Sequence, residues 1–312
     1  MKKLAVFIGI LVLIIAAGGL GASHYRNELF DAAIAAEAQK AGLSERTVNV
    51  GDMVISYYEG PKKANQETVV LIHGFGAIKE NWLRFSAFLT NDYHVIAFDL
   101  PGHGKSSQEF SRSYTIDAQV ENVRNITAAL GVQRFHLAGN SMGGAISSMY
   151  AARYPESLQS LTLIDPAGIY DHYAPLQEAL EQGNNPLIVK NMEEFHYLID
   201  FAMEKPPIIP WPLINVAADR AMAMQGIKEK IFADIRQEGE TDFKAELGKI
   251  RTPTLIMWGD QDRIIDVGNA AVFKALIPHA QLDIYEGIGH VPMMEIPEQS
   301  ATDMRNFMSQ SR

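Results

Sequence analysis

A short segment near the middle of the chain has the residue types and spacing that suit a serine nucleophile. Residues 139–143 read GNSMG, which matches the pattern G-x-S-x-G. An apolar segment at 135–138 precedes it, and a helix-forming segment rich in small residues at 143–154 follows it. Between a strand and a helix, this pattern predicts a sharp turn that presents the hydroxyl of Ser141 by itself. The helix N-terminus beyond the turn offers free N–H groups where an oxyanion would develop.

A serine hydroxyl is a weak nucleophile at neutral pH, so a histidine base has to accompany it. Among the nine histidines, His290 follows the last predicted strand and precedes the last predicted helix. Its position gives the chain order serine, acid, histidine that is typical of folds with this turn. The other candidates are interpreted as structural residues of loops, strands or inserted helices: His73, His94, His103, His136 and His196.

The histidine in turn needs a carboxylate that orients the imidazole and stabilises its protonated form. Asp262 fits best, because it lies on the loop directly after the apolar segment 254–258. Asp165 follows the preceding predicted strand and could reach the same histidine, so it stays open as an alternative. Asp260 and Asp266 are further alternatives near Asp262 in the chain.

A glycine-containing turn could supply the donors of an oxyanion hole. Residues 73–76 read HGFG and follow the apolar segment 69–72, which should neighbour the nucleophile strand. The backbone N–H of Phe75 could then converge with that of Met142. A glycine turn without a catalytic role is the alternative. Residues 99–104, DLPGHG, are interpreted as a rigid turn after a strand.

Short apolar segments rich in β-branched and aromatic residues alternate with helix-forming segments along the chain. The predicted strands are residues 53–58, 69–72, 93–98, 135–138, 161–164, 254–258 and 281–285. The predicted helices are residues 81–89, 116–130, 143–154, 268–276 and 298–308. This alternation predicts the α/β class, with a mostly parallel central sheet flanked by helices.

The alternation stops over residues 167–247, which carry helical patterns and a proline-rich stretch, PPIIPWPL, but no strand pattern. We interpret them as a helical cap, which divides the core into residues 51–166 and 248–312. The apolar proline-rich stretch and four flexible methionines would suit acyl chains, although ordinary helix packing explains them equally well. These methionines are Met192, Met203, Met222 and Met224.

The N-terminal sequence predicts that the chain is targeted to a membrane. Lys2 and Lys3 precede an uncharged apolar run at 4–22, about long enough to cross a ~30 Å hydrocarbon layer. Residues 1–22 are therefore predicted to be either a retained anchor or a cleaved signal peptide. Residues 23–50 are predicted to be a helical juxtamembrane segment. The body would face the periplasm or exterior as an anchored protein, or be secreted or periplasmic after cleavage.

Composition and charge exclude several classes of function. The chain has 312 residues and a formal net charge of −10, which disfavours nucleic acid as a partner. The absence of cysteine excludes disulfides, thiolate metal sites and a cysteine nucleophile.

Five segments, spread over most of the chain from about residue 51 onward, together resemble the α/β-hydrolase superfamily. More narrowly, they are similar to bacterial triacylglycerol lipases and membrane-anchored monoacylglycerol lipases. The segments are residues 73–85, 99–106, 139–144, 258–262 and 289–298. The resemblance implies an α/β-hydrolase fold with a helical cap inserted after the sixth strand. It also implies no cofactor, no metal and five site residues. These are the triad Ser141, Asp262 and His290 and the oxyanion donors Phe75 and Met142.

The expected function is therefore a carboxylic ester hydrolase, a lipase or monoacylglycerol lipase, that acts through an acyl-enzyme. Its expected partners are a lipid ester substrate and a membrane or lipid interface. The first alternative is a hydrolase that cleaves C–C bonds in dienone acids, and the remote alternative is a non-catalytic binding module of the same fold. Epoxide hydrolases and haloalkane dehalogenases carry Asp at the nucleophile position, so Ser141 disfavours both.

Overall fold

A single sheet lies at the centre of the structure, a computed structural model that describes residue 21, residues 23–237 and residues 242–311. Its strands are β1 (Ser44–Val50), β2 (Met53–Glu59), β3 (Thr68–Ile72), β4 (His94–Phe98), β5 (Phe135–Asn140), β6 (Leu158–Ile164), β7 (Thr254–Gly259) and β8 (Gln281–Tyr285). Across the sheet they lie in the order β1-β2-β4-β3-β5-β6-β7-β8. Strand β2 pairs antiparallel with β1 and β4, and the other neighbours are parallel. The predicted α/β class with a mostly parallel sheet is confirmed.

Helices connect the parallel strands and cover both faces of the sheet. They are α1 (Arg26–Lys40), α2 (Leu83–Ser86), α3 (Ile116–Ala129), α4 (Met142–Arg153), α5 (Pro175–Glu181), α6 (Met192–Ala202), α7 (Leu213–Ala223), α8 (Gln225–Arg236), α9 (Phe243–Leu247), α10 (Gly268–Leu276), α11 (Pro292–Glu295) and α12 (Pro297–Gln310). Helices on both sides explain why the central strands read as continuous apolar runs.

Strand β3 shows how the core is divided between the two faces of the sheet. All five of its residues are buried. Val70 and Ile72 belong to one hydrophobic cluster, and Val69 and Leu71 belong to another. Because successive side chains of a strand point to opposite faces, this alternation places one cluster on each side of the sheet. The carboxyl ends of the parallel strands are thereby held at a single edge.

Residues 23–50 are expected to form one helical segment, but the structure shows a helix followed by a strand. Helix α1 is present, but residues 44–50 form the edge strand β1. Most residues of β1 are exposed, so its sequence SERTVNV lacks the apolar alternation from which strands are recognised. Strand β1 pairs with β2 along its full length through a turn at Gly51, which has a positive φ of 60°.

The prediction of a single helix over residues 81–89 is also wrong. A 3₁₀ turn at Lys79–Trp82 leads into the short helix α2. The side chain of Asn81 accepts a hydrogen bond from the N–H of Ile78, which begins the 3₁₀ turn. The chain then turns into β4 through two backbone hydrogen bonds. The N–H of Leu89 donates to the carbonyl of Ser86, and the N–H of Tyr93 donates to the carbonyl of Leu89.

Between β6 and β7 the described residues form helices α5 to α9 and no strand. Helices α6 and α7 pack around a small cluster of their own, in which Val189, Phe195 and Ala218 are buried. Helix α1 lies against α7, where two ion pairs and a cation–π contact join them. The pairs are Arg26 with Asp219 at 2.9 Å and Arg220 with Asp31 at 2.7 Å, and the guanidinium of Arg220 lies 4.6 Å from the centre of the Phe30 ring.

The predicted anchor or signal peptide falls on residues 1–22, which lie outside the described residues except for Gly21. In the part of the chain that the structure describes, no helix combines the length and apolarity needed to cross a membrane.

Candidate active site

The turn between β5 and α4 places Ser141 in a conformation that few non-glycine residues adopt. Its φ is 56° and its ψ is −121°. A Cβ on Gly139 would lie 2.1 Å from the carbonyl oxygen of Gly143, and one on Gly143 would lie 2.4 Å from that of Ile72. Both glycines are therefore required by close backbone approach, and they allow the strained turn that presents the serine. The Ser141 side chain is partly exposed to solvent.

Backbone hydrogen bonds fix this turn to its surroundings. The N–H of Ser141 donates to the carbonyl of Ile164 at the end of β6, at 3.0 Å. The Ser141 carbonyl accepts from Ala145 in the first turn of α4 and from Ala167, each at 3.0 Å. The serine thus lies at the carboxyl edge of the sheet, tied to the next strand.

His290 and Asp262 form a buried hydrogen-bonded pair at the same edge. Nδ1 of His290 lies 2.7 Å from Oδ2 of Asp262, and the two residues are 4% and 6% exposed. The other carboxylate oxygen accepts the N–H groups of Ile264 and Ile265, at 2.8 and 3.0 Å. With Nδ1 held by the carboxylate, Nε2 is the ring nitrogen left for proton transfer.

Asn140, the residue before the serine, ties the histidine loop to the nucleophile turn. Its side-chain amide donates to the carbonyl of His290 at 3.0 Å and to that of Ile164 at 3.1 Å. This role is not predicted from the sequence, because Asn140 occupies a variable position of the G-x-S-x-G pattern. Its polar side chain at the end of a fully buried strand is the only signal that the sequence offers.

Asp165 lies beside this pair but holds the backbone instead. One of its carboxylate oxygens accepts the N–H of Gly259 at 2.9 Å. Burial, and then the neighbouring Asp262, raise the pKa of Asp165 well above its ordinary value. This shift favours the neutral carboxylic acid. The hydrogen bond to His290 is made by Asp262 and not by Asp165.

Asp260 and Asp266, the other two alternatives for the triad acid, each accept a hydrogen bond within a local turn. Asp260 accepts the N–H of Gly287 and Asp266 accepts that of Gly268, each at 2.7 Å. Of the described residues, Asp165, Asp262 and His290 form the one group whose ligand atoms, all within 4.8 Å of one another, could converge on a metal ion. Within this group Asp262 and His290 are hydrogen-bonded to each other, so the arrangement suits proton transfer.

The loop after β3 lies directly against the nucleophile. A Cβ on Gly74 would be 2.9 Å from the Cβ of Ser141. His73 fixes the loop, since its Nδ1 bonds the Gly74 carbonyl at 2.8 Å and its Nε2 accepts the N–H of Leu100 at 3.0 Å. Burial lowers the pKa of His73, which keeps the ring neutral for this role.

The two backbone N–H groups proposed from the sequence flank the serine. Phe75 follows Gly74 in the loop, and Met142 is the first residue of α4. Neither N–H has a hydrogen-bond acceptor among residues 23–237 and 242–311, so both are available to a ligand oxygen. The ring of Phe75 packs against Phe232 of α8, with centroids 5.5 Å apart. The structure therefore places all five predicted site residues around one edge of the sheet.

Ser141 lies on a strained turn between a strand and a helix, and its acid–histidine pair lies on loops that follow later strands. This arrangement is typical of serine hydrolases with the α/β-hydrolase fold. The chain belongs to the family described as alpha/beta hydrolase fold, whose sequence pattern matches residues 67–193 and 215–297. Between these two stretches lies part of the cap.

Named relatives cover most of the chain. Lipase 1 of Psychrobacter immobilis is 36% identical over 277 residues, which are 88% of this chain and 86% of the relative. Monoacylglycerol lipase abhd6-B of Xenopus laevis is 32% identical over 282 residues, which are 86% of this chain and 83% of the relative. Among solved structures, a membrane phospholipase A described as a bacterial virulence factor is 43% identical, with a TM-score of 0.90. The similarity covers 100% of this chain and 99% of that chain.

Proposed function

We propose that this protein hydrolyses carboxylic esters of lipids, with Ser141 as nucleophile, His290 as base and Asp262 as the acid behind the base. The observation that carries this proposal is the buried 2.7 Å hydrogen bond between His290 and Asp262, joined through Asn140 to the turn that presents Ser141. A triad is recognised by such geometry and roles, whatever the chain positions.

In the proposed mechanism, Nε2 of His290 accepts the proton of Ser141 while the serine oxygen attacks the ester carbonyl. The N–H groups of Phe75 and Met142 stabilise the oxyanion that forms. The alcohol then leaves with the proton from His290, and an acyl-enzyme remains on Ser141. Water, activated by the same histidine, hydrolyses the acyl-enzyme in a second step.

A lipid substrate is supported by the relatives, which are named as lipases, a monoacylglycerol lipase and a phospholipase A. We propose that residues 167–247 act as the cap above the acyl chain, and that residues 51–166 and 248–312 form the catalytic body. The alternative reading as a C–C bond hydrolase has no comparable support from these relatives.

We further propose that residues 1–22 hold the protein at a membrane with its body on the periplasmic or outer side. The uncharged apolar run in the sequence supports this proposal, as does the similar structure that is titled a membrane phospholipase. Mass spectrometry of the mature N-terminus decides between a retained anchor and a cleaved signal. A mature chain that begins after residue 22 would exclude the anchor.

Covalent labelling and a substrate series test the proposed activity. A fluorophosphonate probe is expected to label Ser141, as mapped by peptide mass spectrometry. The series contains monoacylglycerol, triolein emulsion and p-nitrophenyl esters of increasing chain length, with a dienone-acid ring-fission product as comparison. Turnover confined to acetate or butyrate esters would refute the lipid substrate. Turnover of the ring-fission product without any ester would refute the ester hydrolase.

A further inference from the structure

Lys228, on the cap helix α8, is a buried lysine without a counter-charge. The residue is 4% exposed. Its ammonium has no hydrogen bond or ion pair with any residue that the structure describes. Burial lowers the pKa of Lys228 to about 8, and no neighbouring carboxylate opposes that shift. The side chain is therefore still mainly charged at neutral pH, in a place where an unpaired charge is costly.

The other deeply buried lysine shows what a structural role requires. Lys79 is 0% exposed, and its ammonium contacts the carboxylates of Asp99, Glu80 and Glu45 at 2.9, 3.0 and 3.1 Å. These carboxylates raise the pKa of Lys79, although burial alone would lower it. Lys79 has its charge partners within the fold, whereas Lys228 has none among the described residues.

Lys228 faces the loop of the candidate oxyanion hole. A Cβ on Gly76 would lie 3.4 Å from Cε and 3.5 Å from Nζ of Lys228. Gly76 directly follows Phe75, and it is two residues from Gly74, which adjoins Ser141. Two residues of extended chain span at most about 7 Å. The ammonium therefore lies within about 10 Å of the backbone N–H of Phe75, one of the two candidate oxyanion donors.

A second buried polar atom in the same region also lacks a partner. His103 is 2% exposed, and its Nε2 has no hydrogen-bond partner in the described part of the chain. Its ring lies 4.9 Å from the ring of His73 and 6.5 Å from that of Phe75, measured between centroids. Burial lowers the pKa of His103 well below its usual value, and Lys228 contributes to that shift. Two polar atoms without a hydrogen-bond partner among the described residues, Nζ of Lys228 from the cap and Nε2 of His103 from the core, thus lie beside the same loop.

We propose that Lys228 binds an anionic phosphate oxygen of the substrate and so selects lipid esters whose head group carries a phosphate. The proposal rests on the proposed ester hydrolase function and adds the class of head group. In a glycerophospholipid the phosphate is only a few bonds from the ester carbonyl, which matches the short separation between Lys228 and the oxyanion loop. Nδ1 of His103 bonds the carbonyl of Pro101, so Nε2 of its neutral ring is an acceptor, and the anionic phosphate is bound by Lys228 alone.

The test compares two esters that share one acyl chain and differ in the head group. 1-Oleoyl lysophosphatidylglycerol and 1-oleoylglycerol are presented to the full chain in neutral detergent micelles at constant ionic strength. Lys228→Met removes the charge and keeps an unbranched side chain. Lys190→Met is the matched control, because Lys190 is an exposed lysine of the same cap.

We expect Lys228→Met to lower kcat/KM for the phosphate ester about 10- to 100-fold, the range of a hydrogen bond between charged groups. Turnover of 1-oleoylglycerol should change less than about threefold, and Lys190→Met should affect neither ester. The melting temperature of Lys228→Met should stay equal or rise, because an unpaired buried charge is removed. An equal loss on both esters, or no loss on either, would overturn the proposal.

Two further measurements separate this proposal from its alternatives. If Lys228→Met relieves inhibition by oleate but leaves kcat/KM for the phosphate ester unchanged, the ammonium binds the product carboxylate and the proposal is wrong. If the wild type hydrolyses neither ester, the ester hydrolase function fails by itself. Equilibrium binding of a fluorescent lysophosphatidylglycerol to Ser141→Ala, with and without Lys228→Met, then decides the role of Lys228 without turnover.

Discussion

The carboxyl edge of the sheet and the cap hold their side chains in different ways. At the edge, the carboxylate of Asp262 accepts three hydrogen bonds, and Asn140 joins the loops of the nucleophile and the histidine. In the cap, α6 and α7 share a small apolar cluster, and surface ion pairs connect α7 to α1. The groups proposed for bond cleavage are thus fixed by hydrogen bonds at the ends of strands, whereas α6 and α7 of the cap are held by apolar packing and surface ion pairs.

This difference matches the demands of the two tasks. Proton transfer requires groups held within a few tenths of an ångström, and strands and their hydrogen-bonded ends provide that precision. Recognition of lipid chains requires an apolar surface that can adapt, and the small separate cluster between α6 and α7 suits this, whereas Ile227 and Ile231 of α8 pack into the main core. We therefore expect core substitutions to affect turnover or folding severely and cap substitutions to affect selectivity or stability mildly.

The largest effect is expected from Ser141→Ala. Loss of the attacking oxygen should lower kcat by about 10⁶-fold, as in another serine hydrolase, while the melting temperature stays unchanged. Hydrolysis of a p-nitrophenyl ester and thermal melting by circular dichroism measure the two quantities. Ser148→Ala in α4 is the control, since that hydroxyl donates only to the Gly144 carbonyl. Retained turnover in Ser141→Ala would assign the nucleophile elsewhere.

A pair of substitutions in the core separates the two buried acids. Asp262→Asn should lower kcat by up to about 10⁴-fold, because the imidazole loses its charged partner and its correct tautomer. Asp165→Asn should change kcat less than about tenfold, since a neutral amide replaces a carboxyl group whose pKa is already raised toward the neutral form. Steady-state kinetics on one ester measure both variants. The reverse order would make Asp165 the acid of the triad.

The same edge shows which parts of the structure were predictable from sequence. The strands β3 and β5 and the turn at Ser141 carry local signals, because both faces of the strands are buried and close backbone contacts demand glycine. Strand β1 carried no such signal, since an exposed edge strand needs no apolar alternation. The roles of Asn140 and Lys228 depend on residues far along the chain, so only the folded structure reveals them.

A glycine-to-alanine substitution, made once in the core and once in the cap, tests whether the two regions differ in how closely the backbone is packed. Gly143→Ala should abolish folding or destabilise by about 1–3 kcal/mol or more, because its Cβ would lie 2.4 and 2.6 Å from the carbonyl oxygens of Ile72 and His73. Gly226→Ala in α8 should be neutral or stabilise by about 0.5–1 kcal/mol, since alanine favours a helix. The nearest atom to that new Cβ would be Cζ of Phe110, at 3.5 Å. Urea unfolding measures both variants, and equal destabilisation would contradict a difference in tolerance between the two regions.

The smallest effect is expected where α1 meets the cap. Arg220 pairs with Asp31, and these side chains are 44% and 60% exposed. A double-mutant cycle of Arg220→Ala and Asp31→Ala should therefore give a coupling free energy of only about 0.2–1 kcal/mol, measured by urea unfolding. The coupling should weaken in 1 M salt, where the screening length is about 3 Å, and kcat on a soluble ester should not change. A coupling above about 2 kcal/mol, or a parallel loss of kcat, would show that α1 controls the position of the cap. In that case helix α1 would belong to the catalytic machinery, and the division of tasks between the core and the cap would not stand.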